Sequence, residues 1–203
     1  MNWQELSALL VLATAMSFSP GPNTTLSTAL AANRGFRHSL PFVCAVPVGW
    51  SALLLVCALG LGALVVALPL LNWAVKLTGV AYLLWLAWKL SQARQLGEAD
   101  ASRLNVGFWQ GVALQFVNIK AWMLALAIVG GWITGHADAL QRLAVVVPIM
   151  LVYAFASNCS YALAGSLLRT WLAGPHGTGQ RLVWFNRSMA VVLLITALWM
   201  LAL

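Results

Sequence analysis

Long apolar segments without charge dominate this sequence and leave few folds open to it. Of the 203 residues, 62% are hydrophobic and 7% are charged, whereas a soluble globular domain carries about 25% charged residues. A helix that crosses a bilayer needs roughly 20 mostly apolar residues. The uncharged runs therefore predict an all-α integral membrane protein with six transmembrane helices, at about residues 5–32, 39–67, 70–92, 107–134, 140–169 and 182–203.

The basic residues are concentrated in a few loops, and their distribution predicts the orientation of the helices. Eight of the eleven Lys and Arg residues fall in the loops after the first, third and fifth segments, whereas Lys76 and Arg142 fall on the opposite side. Because basic residues favour cytoplasmic loops, we expect the odd-numbered loops in the cytoplasm and both termini in the periplasm. The net charge of +7 therefore reflects topology and implies no nucleic-acid partner.

Weak internal similarity relates the two halves of the chain. Pro47 and Pro148 hold similar positions in the second and fifth segments, 101 residues apart, and the same offset pairs Ser19 with Lys120. Three segments on each side of a linker would enter the membrane from opposite sides, so the halves would form an inverted repeat, as in many transporters. We predict a single transmembrane domain over residues 1–203, with repeat one at about 1–93, a cytoplasmic linker at about 94–106 and repeat two at about 107–203.

A Pro-Gly-Pro motif interrupts the middle of the first segment. Its residues are Ser19, Pro20, Gly21, Pro22 and Asn23. The two prolines lack the N–H groups that would bond the carbonyls of Met16 and Phe18, and non-helical backbone at membrane depth must be buried in protein or line a wet cavity. We therefore expect the break to face the bundle interior, where the half-helix that restarts at Asn23 presents N–H groups to an anion. A simple proline kink is the alternative interpretation.

Lys120 is the only ionisable residue near the centre of a segment. A cation at that depth costs at least about 2.5 kcal/mol, and no Asp or Glu is expected inside the membrane. Its partners must then be backbone carbonyls, amides such as those of Asn118 or Asn23, or a bound anion. A structural clamp on the broken first helix, without substrate contact, is the alternative role for Lys120.

Other polar and aromatic side chains complete the candidate site. Trp50 and Trp122 lie deep enough to face a bound ammonium by cation–π contact, with core packing as the alternative, and Asn158 can hydrogen-bond a neighbouring helix. No catalytic residue, metal ligand or cofactor is predicted. The predicted substrate-binding residues are Ser19, Pro20, Gly21, Pro22, Asn23, Gln115, Asn118, Lys120, Trp122, Trp50 and Asn158.

Over essentially its whole length, the chain resembles the lysine exporter superfamily and, within it, the homoserine/threonine resistance type of amino-acid exporters. The motifs that carry the resemblance are Ser19 to Asn23, Gly35-Phe36-Arg37, Gly79 to Leu83 and on to Lys89, and Asn118-Ile119-Lys120-Ala121. The stretches 114–118 and 162–165 look most like the cysteine and O-acetylserine exporters. The family usually has Asn-Pro-Lys in the fourth segment, so Ile119 in place of the proline predicts a less interrupted fourth helix here.

The resemblance implies efflux of small neutral amino acids or derivatives, such as cysteine, O-acetylserine, homoserine or threonine, across the bacterial inner membrane. Export in this family is often attributed to the proton motive force. A zwitterion suits the residues, because its carboxylate can meet Lys120 and the Asn23 half-helix while its ammonium meets the carbonyls of Met16 and Phe18. The expected partners are this small-molecule substrate, membrane lipid and, as an option, a second copy in a homodimer.

Two alternatives belong to other functional classes. An integral-membrane enzyme that acts on a lipid-linked substrate would need a carboxylate pair, a His/Cys cluster or an arginine-rich phosphate clamp, and the sequence offers none at one place. A membrane scaffold without substrate leaves the cost of the central Lys120 unexplained. The sequence therefore favours a transporter.

Overall fold

The computed structural model describes residues 1–93, 106–174 and 179–202, and within these ranges the secondary structure is helical. Residues 94–105 of the predicted linker lie outside the described residues. A π-helical turn (Val129–Ile133) directly follows the helix that ends at Ile128. The helices are α1 (Trp3–Phe18), α2 (Pro22–Arg34), α3 (Phe36–Ala58), α4 (Leu61–Ala67), α5 (Pro69–Gln92), α6 (Phe108–Val117), α7 (Ile119–Ile128), α8 (Ala139–Ala173) and α9 (Gln180–Ala202).

Helix length and composition make this a multi-pass membrane protein. In the described part of the chain, α3, α5, α8 and α9 are each long and apolar enough to cross a bilayer. The pair of α6 and α7 passes the same test together, with a bend of 68° between its members, and would be a fifth span. Helix α1 is apolar but has only 16 residues. A sixth span therefore requires α1 and α2 to cross the membrane as one broken helix.

The predicted second segment, 39–67, is not one continuous helix in the structure. Helix α3 ends at Ala58, and Gly60 then adopts a left-handed conformation with φ of 87°. Glycine enters this region without the penalty that a Cβ brings, so the chain turns there and forms the separate short helix α4. Pro69 instead occupies the first turn of α5, where its missing N–H costs nothing.

Helix α2 lies at the centre of the bundle, although it is unusually polar. Ten of its thirteen residues are buried, and it packs most extensively against α8. The two helices come close because Gly165 of α8 has no side chain, and a Cβ at that position would overlap the Thr28 carbonyl. A polar helix in the middle of a membrane protein needs hydrogen-bond partners on its neighbours.

Polar side chains of α2 find those partners on other helices. Ser27 donates to Asn158 Oδ1 of α8 at 2.9 Å. Asn33 and Asn186 of α9 exchange two amide hydrogen bonds, of 2.7 and 2.9 Å, and Asn186 also donates to the carbonyl of Ala93. Since all four of these side chains are buried, a shift of α2 along its axis would leave several polar groups unsatisfied. The contacts therefore fix the position of α2, on which the site described next depends.

We expect Gly165→Ala to destabilise the contact between α2 and α8. The added methyl group would overlap the Thr28 carbonyl, and overpacking of this kind costs roughly 1–3 kcal/mol. Thermal unfolding of the purified protein in detergent measures the loss as a lower midpoint. Gly131→Ala is the control, because nothing lies within 4 Å of the position of its Cβ. Equal midpoints for the two variants would contradict the close approach of α8 to α2.

Candidate functional site

The first break in the helices lies between Phe18 and Pro22. Ser19 and Gly21 are both extended there, with φ and ψ of −74° and 142° for Ser19 and of −175° and −176° for Gly21. The carbonyls freed by the prolines already have partners, because Ser19 Oγ donates to Met16 O at 3.0 Å and Tyr161 Oη donates to Phe18 O at 2.8 Å. Each of these carbonyls keeps a second lone pair, so the expectation that they receive a substrate ammonium stays a prediction. Tyr161, which was not among the predicted site residues, satisfies one of them.

The side chain of Lys120 is tied to this break. Its Nζ donates to Ser19 Oγ at 2.7 Å, to the Ser19 carbonyl at 3.0 Å and to the Pro20 carbonyl at 3.2 Å. An ammonium has three protons to donate, and all three partners are neutral oxygens. Gly21 allows the close approach, since a Cβ there would lie 3.2 Å from both Cδ and Nζ of Lys120. The ammonium thus joins the start of α7 to the break between α1 and α2, and its positive charge is solvated by dipoles.

The second break lies at Asn118, between α6 and α7. Asn118 is extended, with φ of −96° and ψ of 100°, and its Oδ1 accepts a hydrogen bond from the backbone N–H of Lys120 at 3.2 Å. The less interrupted helix expected from Ile119 is therefore not what the structure shows, since the two helices meet at 68°. Asparagine is among the best N-cap residues, so it can start a new helix without a proline.

The carbonyl at the end of α6 explains a glycine in the third predicted segment. The Val117 carbonyl packs directly on Gly79 of α5, where any Cβ would overlap it. The missing side chain therefore makes room for the backbone at the second break. Gly79 begins one of the motifs on which the family resemblance rests, and this contact gives it a structural reason.

An amide pair joins the start of α2 to α6. Asn23 Nδ2 donates to Gln115 Oε1 at 2.9 Å, and Gln115 Nε2 donates back to Asn23 Oδ1 at 3.1 Å. Gln115 is fully buried and also donates to the Gly111 carbonyl at 3.0 Å. The pair fixes the orientation of the Asn23 amide beside the first turn of α2.

A cavity lies between the two breaks. Its volume is about 60 Å³. Its wall comes from α1, α2, α3, α7 and α8, and combines Lys120 and several hydroxyl and amide groups with apolar side chains such as Val46 and Met150.

Most of the predicted site residues meet at this cavity, and three do not line it. Pro20 contributes its carbonyl to Lys120, and Gln115 lies behind Asn23. Trp122 lies elsewhere: its Nε1 donates to Phe116 O at 2.8 Å, and its side chain lines a separate cavity beside Lys76. Residues two positions apart on a helix do not share a face, which explains why Trp122 and Lys120 diverge. The predicted residues that line the cavity are Ser19, Gly21, Pro22, Asn23, Trp50, Asn118, Lys120 and Asn158.

The sequence reasoning missed several polar members of the wall. Ser17, Thr24 and Ser157 all line the cavity. Ser157 is buried and immediately precedes Asn158 in α8, so two adjacent polar residues were the available signal. Ser17 and Thr24 flank the Pro-Gly-Pro motif, which was the available signal for them. They were missed because they lie far from Lys120 in the sequence.

Comparisons with known proteins agree on one family. A family model for LysE-type translocators matches residues 14–202. The chain is similar to the cysteine/O-acetylserine efflux protein of Salmonella choleraesuis (strain SC-B67), at 30% identity over 81% of this chain and 84% of that protein. It is equally similar to the protein of the same name from Escherichia coli (strain K12), at 30% identity over 81% and 84%. No solved structure matches the chain significantly.

Asn118→Ala should destabilise the second break. The substitution removes the side-chain acceptor for the Lys120 N–H, and the loss of such an N-cap costs roughly 0.5–2 kcal/mol. Asn118→Ser is the matched control, because serine is also a good N-cap. Thermal unfolding in detergent compares the two variants, and an alanine variant as stable as the serine variant would contradict the capping role.

Proposed function

The chain belongs to the LysE-type translocator family, which makes it a transporter and not an enzyme, and on that premise we propose that it exports small neutral amino acids or their derivatives. Cysteine and O-acetylserine are the first substrates to test, because similar proteins are named for their efflux. Homoserine and threonine come next. We place this export in the bacterial inner membrane, with the proton motive force as its driving energy.

The main support for this proposal is the position of the Lys120 ammonium, which can bind a substrate carboxylate. It lies on the wall of the cavity, and its hydrogen bonds end on neutral oxygens of Ser19 and Pro20. A carboxylate is a stronger partner for an ammonium than a carbonyl, since both partners of that hydrogen bond then carry a full, opposite charge. A substrate carboxylate can therefore replace one of these oxygens while the others continue to hold Lys120.

The first turn of α2 supplies the second half of the carboxylate site. Helix α2 begins beside the cavity at Pro22, and Gly21 at its N-cap has no side chain to bond the first N–H groups. The positive end of the helix dipole favours an anion at this position. Lys120 and the N–H groups of Asn23 and Thr24 thus act on the same small volume, which explains why a site for one carboxylate needs no arginine.

Other groups of the cavity wall can receive the substrate ammonium besides the Met16 and Phe18 carbonyls. The Met16 and Phe18 carbonyls have partners within the protein. The ring of Trp50 and the side chains of Ser17 and Ser157 line the same cavity, and they offer cation–π and hydroxyl contacts to an ammonium. We assign the substrate ammonium to these groups of the wall.

The broken helices also support the six-span architecture within this proposal. If α1 and α2 cross the membrane together, the first and fourth spans are both interrupted at mid-length, at Ser19 to Gly21 and at Asn118. Ser19 and Lys120, which the repeat offset pairs, are joined by a hydrogen bond of 2.7 Å. Interrupted helices in corresponding positions of two inverted repeats are typical of transporter binding sites. The odd-numbered loops would then be cytoplasmic and the termini periplasmic.

We expect Lys120→Met to abolish measurable export and Lys76→Met to preserve it. The variant lacks the hydrogen bond between the Lys120 ammonium and the substrate carboxylate. A hydrogen bond to a charged group is worth roughly 1.5–3 kcal/mol, so its loss lowers the apparent affinity for the substrate by about 10-fold to 100-fold. Labelled cysteine or O-acetylserine in proteoliposomes provides the assay, and size-exclusion chromatography checks that each variant is folded. Lys76 is the control because it is a basic residue outside the cavity with Lys120, near the Trp73 ring.

A substrate analogue separates binding by Lys120 from a purely structural clamp. The amino-acid methyl ester keeps the ammonium and lacks the carboxylate, so the wild type should prefer the free acid and Lys120→Met should lose that preference. Binding is measured by competition against labelled substrate. A Lys120→Met protein that still prefers the free acid by the wild-type factor would contradict the carboxylate site.

We also expect an imposed pH gradient to drive export. Proteoliposomes should move labelled substrate against its concentration gradient only while the proton gradient lasts, and a protonophore should leave only downhill movement. Equal movement with and without the gradient would contradict proton coupling while leaving the binding site intact.

A further inference from the structure

A cluster of charges lies at the end of the molecule that carries Met1, away from the cavity. Arg142 Nε donates to Asp138 Oδ1 at 2.7 Å, and both terminal nitrogens of Arg142 lie 3.3 Å from Glu5 Oε1. The N-terminal ammonium lies 3.9 Å from Asp138 Oδ2. We call Met1, Glu5, Asp138 and Arg142 the Met1-end cluster. Arg142 is only 8% exposed, which is unusual for arginine unless it is paired.

The two carboxylates of the cluster have different structural roles. Asp138 precedes α8 and pairs with Arg142 within the same helix, four residues along; the hydrogen bond from Arg142 holds the pKa of Asp138 below its ordinary value. Glu5 belongs to α1, so its pair with Arg142 joins two different helices. Trp132 adds to this junction, since its Nε1 donates to the Glu5 carbonyl at 2.8 Å and its own carbonyl accepts from Arg142 at 3.4 Å.

Helix α1 depends on such contacts because little of it is buried. Leu9 and Ala13 are its only buried residues. Its other end runs into the extended backbone of Ser19 to Gly21, beyond which α2 is fixed in the centre of the bundle. A short helix with an extended segment at one end and an ion pair at the other is suited to turn as a rigid body.

An apolar wall separates the Met1-end cluster from the cavity. Leu9 and Ala13 belong to one buried apolar cluster with residues of α3, α7 and α8, and Trp50, Leu124 and Met150 belong both to this cluster and to the lining of the cavity. Met16 at the cavity lies eleven positions after Glu5 along α1, a rise of about 16 Å. A path from the cavity to the Met1 end therefore requires α1 to move away from this wall.

We propose that Arg142 is a positioning residue for transport: by holding Glu5, it keeps α1 against α8 and the cavity closed toward the Met1 end. Release of Glu5 lets α1 turn about Ser19 to Gly21, and this movement opens the cavity on that side. The inference rests on the proposed function, because a transporter must open its site to each side of the membrane in turn. It extends that function to residues about 16 Å from the site.

The test measures the accessibility of the cavity from each side of the membrane. Cys44, Cys57 and Cys159 are first replaced by alanine. Ala154→Cys then places a single thiol in the cavity wall, and a separate Ala137→Cys protein, with an exposed thiol beside the cluster, identifies the membrane side of the Met1 end. A charged, membrane-impermeant methanethiosulfonate is added to right-side-out and to inverted vesicles, and the labelling rate is recorded.

Glu5→Gln should raise the rate of labelling of Ala154→Cys from the Met1 side by roughly tenfold or more, with no rise from the other side. Glutamine keeps an oxygen that can accept from the Asn2 N–H, as Glu5 Oε2 does at 2.8 Å, so the start of α1 is preserved. Asp138→Asn is the matched control, because it removes the pair within α8 and leaves the pair of Glu5 with Arg142. Its labelling rate should stay close to that of the unmodified cluster.

Three outcomes would overturn the proposal. They are an unchanged rate for Glu5→Gln, an equal rise from both sides, and an effect of Asp138→Asn as large as that of Glu5→Gln. If Glu5→Gln does not fold, Arg142→Lys is the second variant. Lysine can pair with only one of the two carboxylates of Glu5 and Asp138 at a time, so it should give an intermediate rate of labelling of Ala154→Cys. Labelling needs no substrate, so a failure of amino-acid export would refute the proposed function and leave this result standing.

Discussion

The structure depends on how a cation is accommodated deep in an apolar bundle. Lys120 cannot keep its charge in hydrocarbon without oxygen partners, and the break between α1 and α2 provides them in the hydroxyl and carbonyl of Ser19 and the carbonyl of Pro20. The break in turn exposes backbone that needs partners, and Lys120 and Tyr161 satisfy part of it. Each feature therefore removes the cost of the other, and a cavity remains between them.

The central position of α2 follows from the same constraint. A polar half-helix is stable inside the bundle only because Asn23, Ser27 and Asn33 reach amides or hydroxyls on three different helices. These contacts hold the N-terminus of α2 beside Lys120 and leave α1, which has few buried residues, as the part of this pair that can move. In the proposed function, α2 binds the substrate and α1, which is less firmly held, gates the cavity.

The sequence predicts the features that local chemistry determines, and it fails where a distant contact decides. Apolar length predicts α3, α5, α8 and α9, and two prolines around Gly21 mark the place where α1 ends. Asn118 was a candidate binding residue, but nothing in the sequence indicated that it also interrupts the helix, because Ile119 stands where relatives have a proline. The partner of the Phe18 carbonyl is Tyr161, 143 residues away, and no spacing rule connects them. The side of α7 on which Trp122 lies depends on where the helix begins, and the predicted boundaries were not precise enough to decide it.

In the proposed function, Lys120 and the first turn of α2 bind the carboxylate of the exported amino acid. An experimental structure of the protein with O-acetylserine or cysteine bound tests this most directly. We expect a carboxylate oxygen within about 3 Å of Lys120 Nζ, next to the N–H groups of Asn23 and Thr24, with at least one of the oxygens of Ser19 or Pro20 released. An ordered ligand elsewhere in the protein, with Lys120 still donating to all three of these oxygens, would contradict it.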